Sequence, residues 1–351
     1  MLVDMMDTRR DFLRSAAACA AGMAMGGCAS RIAGGEARLP APRFMWAYFA
    51  QFGMKMWERR AHYTELKVDE SMWNSLTERA AAVGVNVFVI DLGEGMVFPS
   101  HPELAVRGSW EPERMHDEVA RLKGMGIIAV PKLNFSSSHD QWLGKWRPYL
   151  STPEYFKVCR EVIRDVAEVF DESPLFHLGY DEETFPIQNA NKFEYKRLRS
   201  GDLWWHDFLW FVDEVQKYGM RPWIWSDSVQ FQPEAFMERM PRTVLQSNWY
   251  YGTDFNMEKA SERVQRKLKA YLALEQGRYD QMPCGSTFLS RENFAMTIAY
   301  CRDIIKGDRL KGFFMAPWHG WTREDRRDKI MAALDVMEEA IKGANNPSRL
   351  V

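Results

Sequence analysis

Three stretches decide the fold: IIAVPKL at 127–133, PEYFKVCREVIRDVAEVF at 153–170 and LFHLGY at 175–180. The outer two are short apolar runs of strand length. The middle one places Tyr155, Val158, Val162, Val166 and Phe170 at the three-to-four spacing of a helix with one buried face. A strand, a crossover helix and a second strand form a unit whose strands run parallel. The pattern repeats in both directions. Strands are predicted at 44–50, 85–91, 127–133, 175–180, 221–225, 243–248, 282–288 and 312–316, eight in all. The intervening helices carry similar stripes, such as Phe294, Ile298, Cys301 and Ile305, and glycines such as Gly84, Gly126, Gly219 and Gly307 stop them before the next strand. Eight such units predict a (β/α)₈ TIM barrel as a single α/β domain over residues 43–345. A doubly wound open sheet is the alternative, weakened by the lack of a glycine-rich nucleotide loop after the first strand.

Ahead of that domain, residues 1–28 read as an export signal. Arg9 and Arg10 precede Phe12 and Leu13, and the short apolar segment from Ser15 to Gly27 is well under the roughly 20 residues a bilayer span needs. The paired arginines resemble a twin-arginine signal, and Met25-Gly26-Gly27-Cys28 resembles a lipoprotein cleavage box with Cys28 as the lipidated residue. Residues 29–42 then form an Ala-, Gly- and Pro-containing tether. The expected location is the periplasm or the outer-membrane or cell surface, with the membrane reached only through the lipid. A soluble periplasmic form cut nearby is the alternative.

The charge balance, 46 basic against 48 acidic residues, gives no basic patch for nucleic acid. Past the signal, Cys159, Cys284 and Cys301 are odd in number and lack metal-type spacing, so they are expected to be small core residues. No metal-binding helix motif or phosphate loop appears, and no cofactor or metal is expected. The aromatic content is high: 14 Trp, 12 Tyr and 21 Phe.

In a parallel barrel, function gathers at the C-terminal strand ends. Those positions carry Gln51, Asp91, Glu94, Asn134, His139, Asp181, Glu182, Trp225, Asp227, Trp249, Tyr250, Trp318 and Trp321. Indoles and carboxylates around one rim suit a carbohydrate, whose apolar face lies on aromatic rings while its hydroxyls bond to carboxylates and amides. The chemistry concentrates in FHLGYDEE at 176–183. Glycosidic cleavage needs one carboxylic acid to protonate the leaving oxygen and a second group to stabilise the cation-like centre. The acid needs a pKa raised towards about 6 by burial or a neighbouring charge. Strand alternation opposes this reading, because Asp181 and Glu182 should then face opposite ways unless the strand breaks there. A solvated acidic loop with Glu182 or Glu183 capping a helix is the competing interpretation.

The passage FHLGYDEE resembles the H-x-G-G-D-E signature of glycoside hydrolase family 20, the β-N-acetylhexosaminidases. The resemblance covers roughly residues 80–185, including Gly84-Val85-Asn86-Val87-Phe88, Pro102-Glu103-Leu104 and the third predicted strand. It implies a substrate-assisted, retaining mechanism, with Glu182 as acid and then base and Asp181 orienting the substrate's 2-acetamido group. Trp225, Trp249 and Trp318 or Trp321 would wall the sugar pocket, and Tyr250 would bond to the acetamide oxygen. The sequence departs from the family at Tyr180 in place of the second glycine and at Ser136-Ser137-Ser138-His139 in place of a Pro-Gly-His loop. It also has Lys132 in place of an acid, no arginine at the end of the first strand, and Gly320 in place of a glutamate after Trp318.

His177 is expected to prop the site from inside the barrel, with substrate contact the alternative. His139, Asp91 and Asp227 are further candidates for sugar binding, although a helix cap would also explain the two aspartates. The sequence therefore predicts an exo-acting β-N-acetylhexosaminidase-like hydrolase trimming a terminal sugar. The alternatives are a hydrolase of another terminal sugar and a non-catalytic carbohydrate-binding surface lipoprotein.

Overall fold

The computed structural model describes residues 38–56, 60 and 62–345. The export signal, Cys28 and most of the tether lie outside these residues. Eight strands form one parallel sheet: β1 (Met45–Gln51), β2 (Val87–Asp91), β3 (Ile128–Lys132), β4 (Leu175–His177), β5 (Arg221–Trp225), β6 (Leu245–Ser247), β7 (Cys284–Gly285) and β8 (Gly312–Met315). The strands pair in chain order from β1 to β6, and β8 lies between β1 and β7. Single parallel bridges, Gln246 with Gln281 and Trp249 with Cys284, close the ring between β6 and β7. This pairing excludes the open doubly wound sheet, whose edge strands never meet.

Helices α1 (Glu70–Val83), α2 (Pro112–Gly124), α3 (Pro153–Val169), α4 (Gly201–Gln216), α5 (Pro233–Arg239), α6 (Glu262–Gln276), α7 (Asn293–Ile304) and α8 (Arg327–Asn345) follow the strands in turn. Local signals set their ends. Asp69 caps α1 by accepting from the Ser71 amide, and Gly84 ends it at φ 95°. Thr152 caps α3 with Pro153 in its first turn, and the stripe Tyr155, Val158, Val162 and Val166 is buried.

Strand alternation divides the apolar residues into two layers. Met45, Ala47, Phe49, Val87, Val89, Trp223 and Phe314 fill the barrel interior. Trp46, Tyr48, Ala50, Phe88 and Ile90 instead pack against the helices. The interior is filled by large rings, with Trp225 and Phe314 stacked at 5.1 Å and 10°. At the β1–β8 seam Gly312 has φ 147°, and a side chain there would strike the Met45 carbonyl, so glycine permits the two strands to meet.

Two strands are shorter than the apolar runs suggest. β4 stops at His177 instead of Tyr180 because the chain turns left-handed at Gly179 and Tyr180. β7 keeps only two residues, since Ser286 is drawn to the Ala316 carbonyl at 2.6 Å and its amide to Asn293 at 2.9 Å. Arg38, in the stretch expected to be tether, is packed within the barrel domain. Arg38 donates to the Phe170 and Ser173 carbonyls at 2.7 and 3.1 Å, satisfying acceptors left at the end of α3. The chain thus joins the domain at the end of the barrel opposite the C-terminal strand ends. Cys159, Cys284 and Cys301 are buried and free. Among the described residues no helix is long and apolar enough to cross a membrane.

Candidate active site

The segment after β4 resolves the conflict with strand alternation. Gly179, Tyr180 and Glu182 have φ of 70°, 69° and 56°, so the two-residue period ends at the barrel mouth. Tyr180 swings outward and packs on Trp204 and Phe208 of α4 at 5.2 and 5.1 Å. Asp181 and Glu182 both face a cavity of about 310 Å³ at the C-terminal strand ends. Gly179 admits no side chain, because a Cβ would lie 2.2 Å from Asn134 Oδ1 and 2.8 Å from Asn134 Cα.

Non-glycine residues in left-handed conformations cost roughly 1–3 kcal/mol each, and they persist only where the surroundings fix them. Here they are fixed from several sides. Asn134 Oδ1 accepts from the Tyr180 amide at 3.1 Å, while Asn134 Nδ2 donates to Asp181 Oδ1 at 2.7 Å. Asp227 Oδ2 accepts from the Glu182 amide at 2.9 Å, and Ser138 Oγ donates to the Glu182 carbonyl at 2.8 Å. Glu183 points into the protein, paired with buried Arg199 at 2.6 Å. Only Glu183 therefore acts as a structural anchor. The Ser136–Ser138 stretch holds the pair from the β3 side.

His139 Nε2 lies 3.5 Å from Asp181 Oδ2 and 3.3 Å from Glu182 Oε2. Burial alone would lower this imidazole, but the Asp181 and Glu182 charges outweigh it and raise its pKa above the ordinary histidine value. Burial would likewise raise Glu182. The hydrogen bond to His139, with the charges of His139, Lys267 and Arg263, reverses that and holds Glu182 below the usual carboxylate range. The expectation of a raised general acid is thus not met at Glu182. Asp227, fully buried and beside two carboxylates, is pushed up to about 7. His139, Asp181 and Glu182 also bring donor atoms within 4.8 Å of one another, a set that a divalent ion could use. At 3.3–3.5 Å the same contacts suit a proton shared between imidazole and carboxylates.

Trp225, Trp249, Trp318 and His139 line the cavity together with the acidic pair. Five other candidates, Asp91, His177, Trp321, Tyr250 and Asp227, do not. Asp91 is buried beneath it and bonded to Lys132 Nζ at 2.8 Å. His177 lies inside the barrel, 4.8 Å from the Trp225 ring, and accepts from the Gly179 amide through Nδ1 at 3.0 Å. It supports the turn from below. Trp321 stacks on Tyr63 at 5.0 Å, away from the cavity. Tyr250 packs on Phe255 at 5.1 Å, and Tyr251 takes the cavity position instead. Alternation beyond β6 puts Trp249 and Tyr251 on one side and Tyr250 on the other. Asp227 lines two neighbouring cavities and reaches the pair through the Glu182 backbone.

The sequence reading also missed several lining residues. Arg60, in the loop after β1, lines the cavity. Met56 and the exposed ring of Phe288 line it as well. Where the family resemblance leads one to expect a glutamate, the Gly320 amide donates to Gln51 Oε1 at 3.0 Å.

No family model and no curated protein matches the chain. Solved structures match its fold. A β-N-acetylhexosaminidase from Bacteroides fragilis aligns with 84% of this chain and 66% of its own at 17% identity, TM-score 0.60. An exo-β-N-acetylglucosaminidase from Vibrio harveyi, in complex with N-acetylglucosamine, aligns over 85% of this chain and 54% of its own at 15% identity, TM-score 0.56. A chitobiase from Flavobacterium johnsoniae covers 86% of this chain and 51% of its own at 16% identity, TM-score 0.55. What they share with this chain is the barrel. The chain spans half to two thirds of the length of these proteins.

Proposed function

We propose that this chain is a glycoside hydrolase that removes a terminal N-acetylhexosamine with retention of configuration. The observation that carries the reading is the left-handed turn that sets Asp181 and Glu182 side by side in a cavity walled by Trp225, Trp249 and Trp318. At about 310 Å³ the cavity is at the small end of ligand pockets, suited to one sugar ring. Asp181, held by Asn134, would orient and polarise the 2-acetamido group so that its carbonyl oxygen attacks the anomeric carbon. As the glycosidic bond breaks, Glu182 gives a proton to the leaving oxygen and an oxazolinium ion forms. Water then opens the ion at the anomeric carbon while Glu182 takes the proton back. His139 Nε2, 3.3 Å from Glu182 Oε2, is placed to exchange that proton with it. The solved structures with this fold are named for the same chemistry, which supports the reading. The signal-like N-terminus adds the proposal that the enzyme works outside the cytoplasm on a lipid anchor at Cys28.

A screen of aryl glycosides with the signal-free protein tests the reading. The expected result is turnover of a 2-acetamido β-glycoside, strong inhibition by a thiazoline mimic of the bicyclic intermediate, and little turnover of the matching glucoside. Hydrolysis of a sugar lacking the acetamide, indifferent to the thiazoline, would move the assignment to another terminal sugar. Glycan binding without any turnover would favour the non-catalytic alternative.

A further inference from the structure

A second cavity, of about 140 Å³, adjoins Glu182. Glu182 and Trp249 line both cavities, whereas Asp181 lines only the first, so these two side chains form the partition between them. The second cavity is also lined by Arg263, Arg266 and Lys267 of α6. Their spacing of three and four residues places them on one helix face, where like charges repel. Several other arginines here are matched with acids, as Arg309 is with Glu275 and Arg239 with Asp202, although Arg242, Arg278 and Arg302 are not. Among the described residues Arg263 and Arg266 have no such ion pair, and Lys267 Nζ sits 3.3 Å over the Trp249 ring. Phe231, 56% exposed, lines the same cavity. A bare aromatic ring beside three cations, with Glu182 and Asp227 as the carboxylates of the same cavity, offers one surface to the apolar face of a sugar and another to a negative charge.

We infer that this cavity is the leaving-group subsite of the reaction and that it selects an anionic sugar, carboxylated or sulfated. The inference rests on the proposed function and extends it. The glycosidic oxygen must lie at Glu182, the terminal sugar occupies the cavity that holds Asp181, and the leaving sugar therefore extends past Glu182. On that side its ring meets Phe231 and its charge meets Arg263, Arg266 and Lys267.

The test compares three disaccharides with the same terminal N-acetylhexosamine and a neutral, a carboxylated or a sulfated reducing sugar. The parent is set beside an Arg263→Gln/Arg266→Gln variant. In the parent, kcat/KM is expected to be roughly tenfold higher for at least one anionic leaving sugar than for the neutral one, a preference that fades in 0.5 M salt. In the variant the anionic-to-neutral ratio falls to about one. The ratio cancels any general effect of the substitutions on Glu182. Which anionic substrate is favoured tells the carboxylate from the sulfate. Equal rates in the parent, or a ratio retained in the variant, would overturn the inference. Should no disaccharide be cleaved, the proposed function itself fails. Calorimetric titration with the free hexuronate and the free sulfated sugar then decides the subsite. Binding weakened in the variant supports it, and no binding to the parent overturns it.

Discussion

Replacing Asp227 with Asn should stabilise the protein by an amount that grows with pH. Burial first, and then the charges of Asp181 and Glu182, raise this carboxyl from 3.8 to about 7. Between roughly pH 4 and pH 7 the folded protein therefore holds a proton that the unfolded chain has released. Unfolding releases protons in that window, and stability contributed by this group falls as pH rises through it, then levels off above about pH 7. The shift is about 3 units at about 1.4 kcal/mol each, so the ionised Asp227 costs about 4 kcal/mol at pH 8 and nothing at pH 4. Asn keeps an acceptor for the Glu182 amide and cannot ionise. Any cost of leaving its amide N–H groups unpaired is the same at every pH, so the difference between pH values isolates the charge. Urea unfolding of parent and variant at pH 4.5, 6 and 8 should show a gap that widens by about 3 kcal/mol across the series, or roughly 6 °C in Tm. A gap of constant size would refute the reasoning, because it would mean that Asp227 does not keep its proton in the folded site.

Three further outcomes follow from the same geometry. Arg199→Met should destabilise by roughly 3–5 kcal/mol in denaturant, because it strands the buried carboxylates Glu183 and Asp207 that lie 2.6 and 3.4 Å from the guanidinium. Gly179→Ala should leave the far-ultraviolet dichroism unchanged but lower kcat by about 100-fold, since the added methyl displaces Asn134 and with it Asp181. Tyr251→Phe should lower kcat/KM by about tenfold, whereas Tyr250→Phe, whose ring packs under its own loop, should stay within about twofold of the parent.

Much of the barrel was legible because parallel strands are buried on both faces and read as continuous apolar runs between helix-stopping glycines. Closure followed from the count of eight units, but the contacts that complete it were not legible. They are single bridges between β6 and β7, too few residues to leave a periodic trace. The acidic pair was visible as a motif, but its direction was not. Left-handed backbone at Tyr180 and Glu182 runs against residue preference and is imposed by Asn134, Asp227 and Ser138 from other strands. The place of Tyr251 was available from alternation with Trp249. Arg60 was not, since it comes from a loop nine positions past the end of β1. Nothing in the spacing of Arg263, Arg266 and Lys267 sets them apart from a solvated helix surface; only the fold places them beside Glu182.

The most direct measurement is the leaving-group dependence of Glu182→Gln. Should Glu182 protonate the departing oxygen, kcat on an aryl glycoside with a poorly acidic phenol falls by roughly 10²–10⁴-fold, while a dinitrophenyl glycoside, which departs without a proton, loses far less. Asp181→Asn, acting on the acetamide, should lose activity on both substrates. An equal loss on the two glycosides for Glu182→Gln, or none on either, would contradict the role given to this side chain.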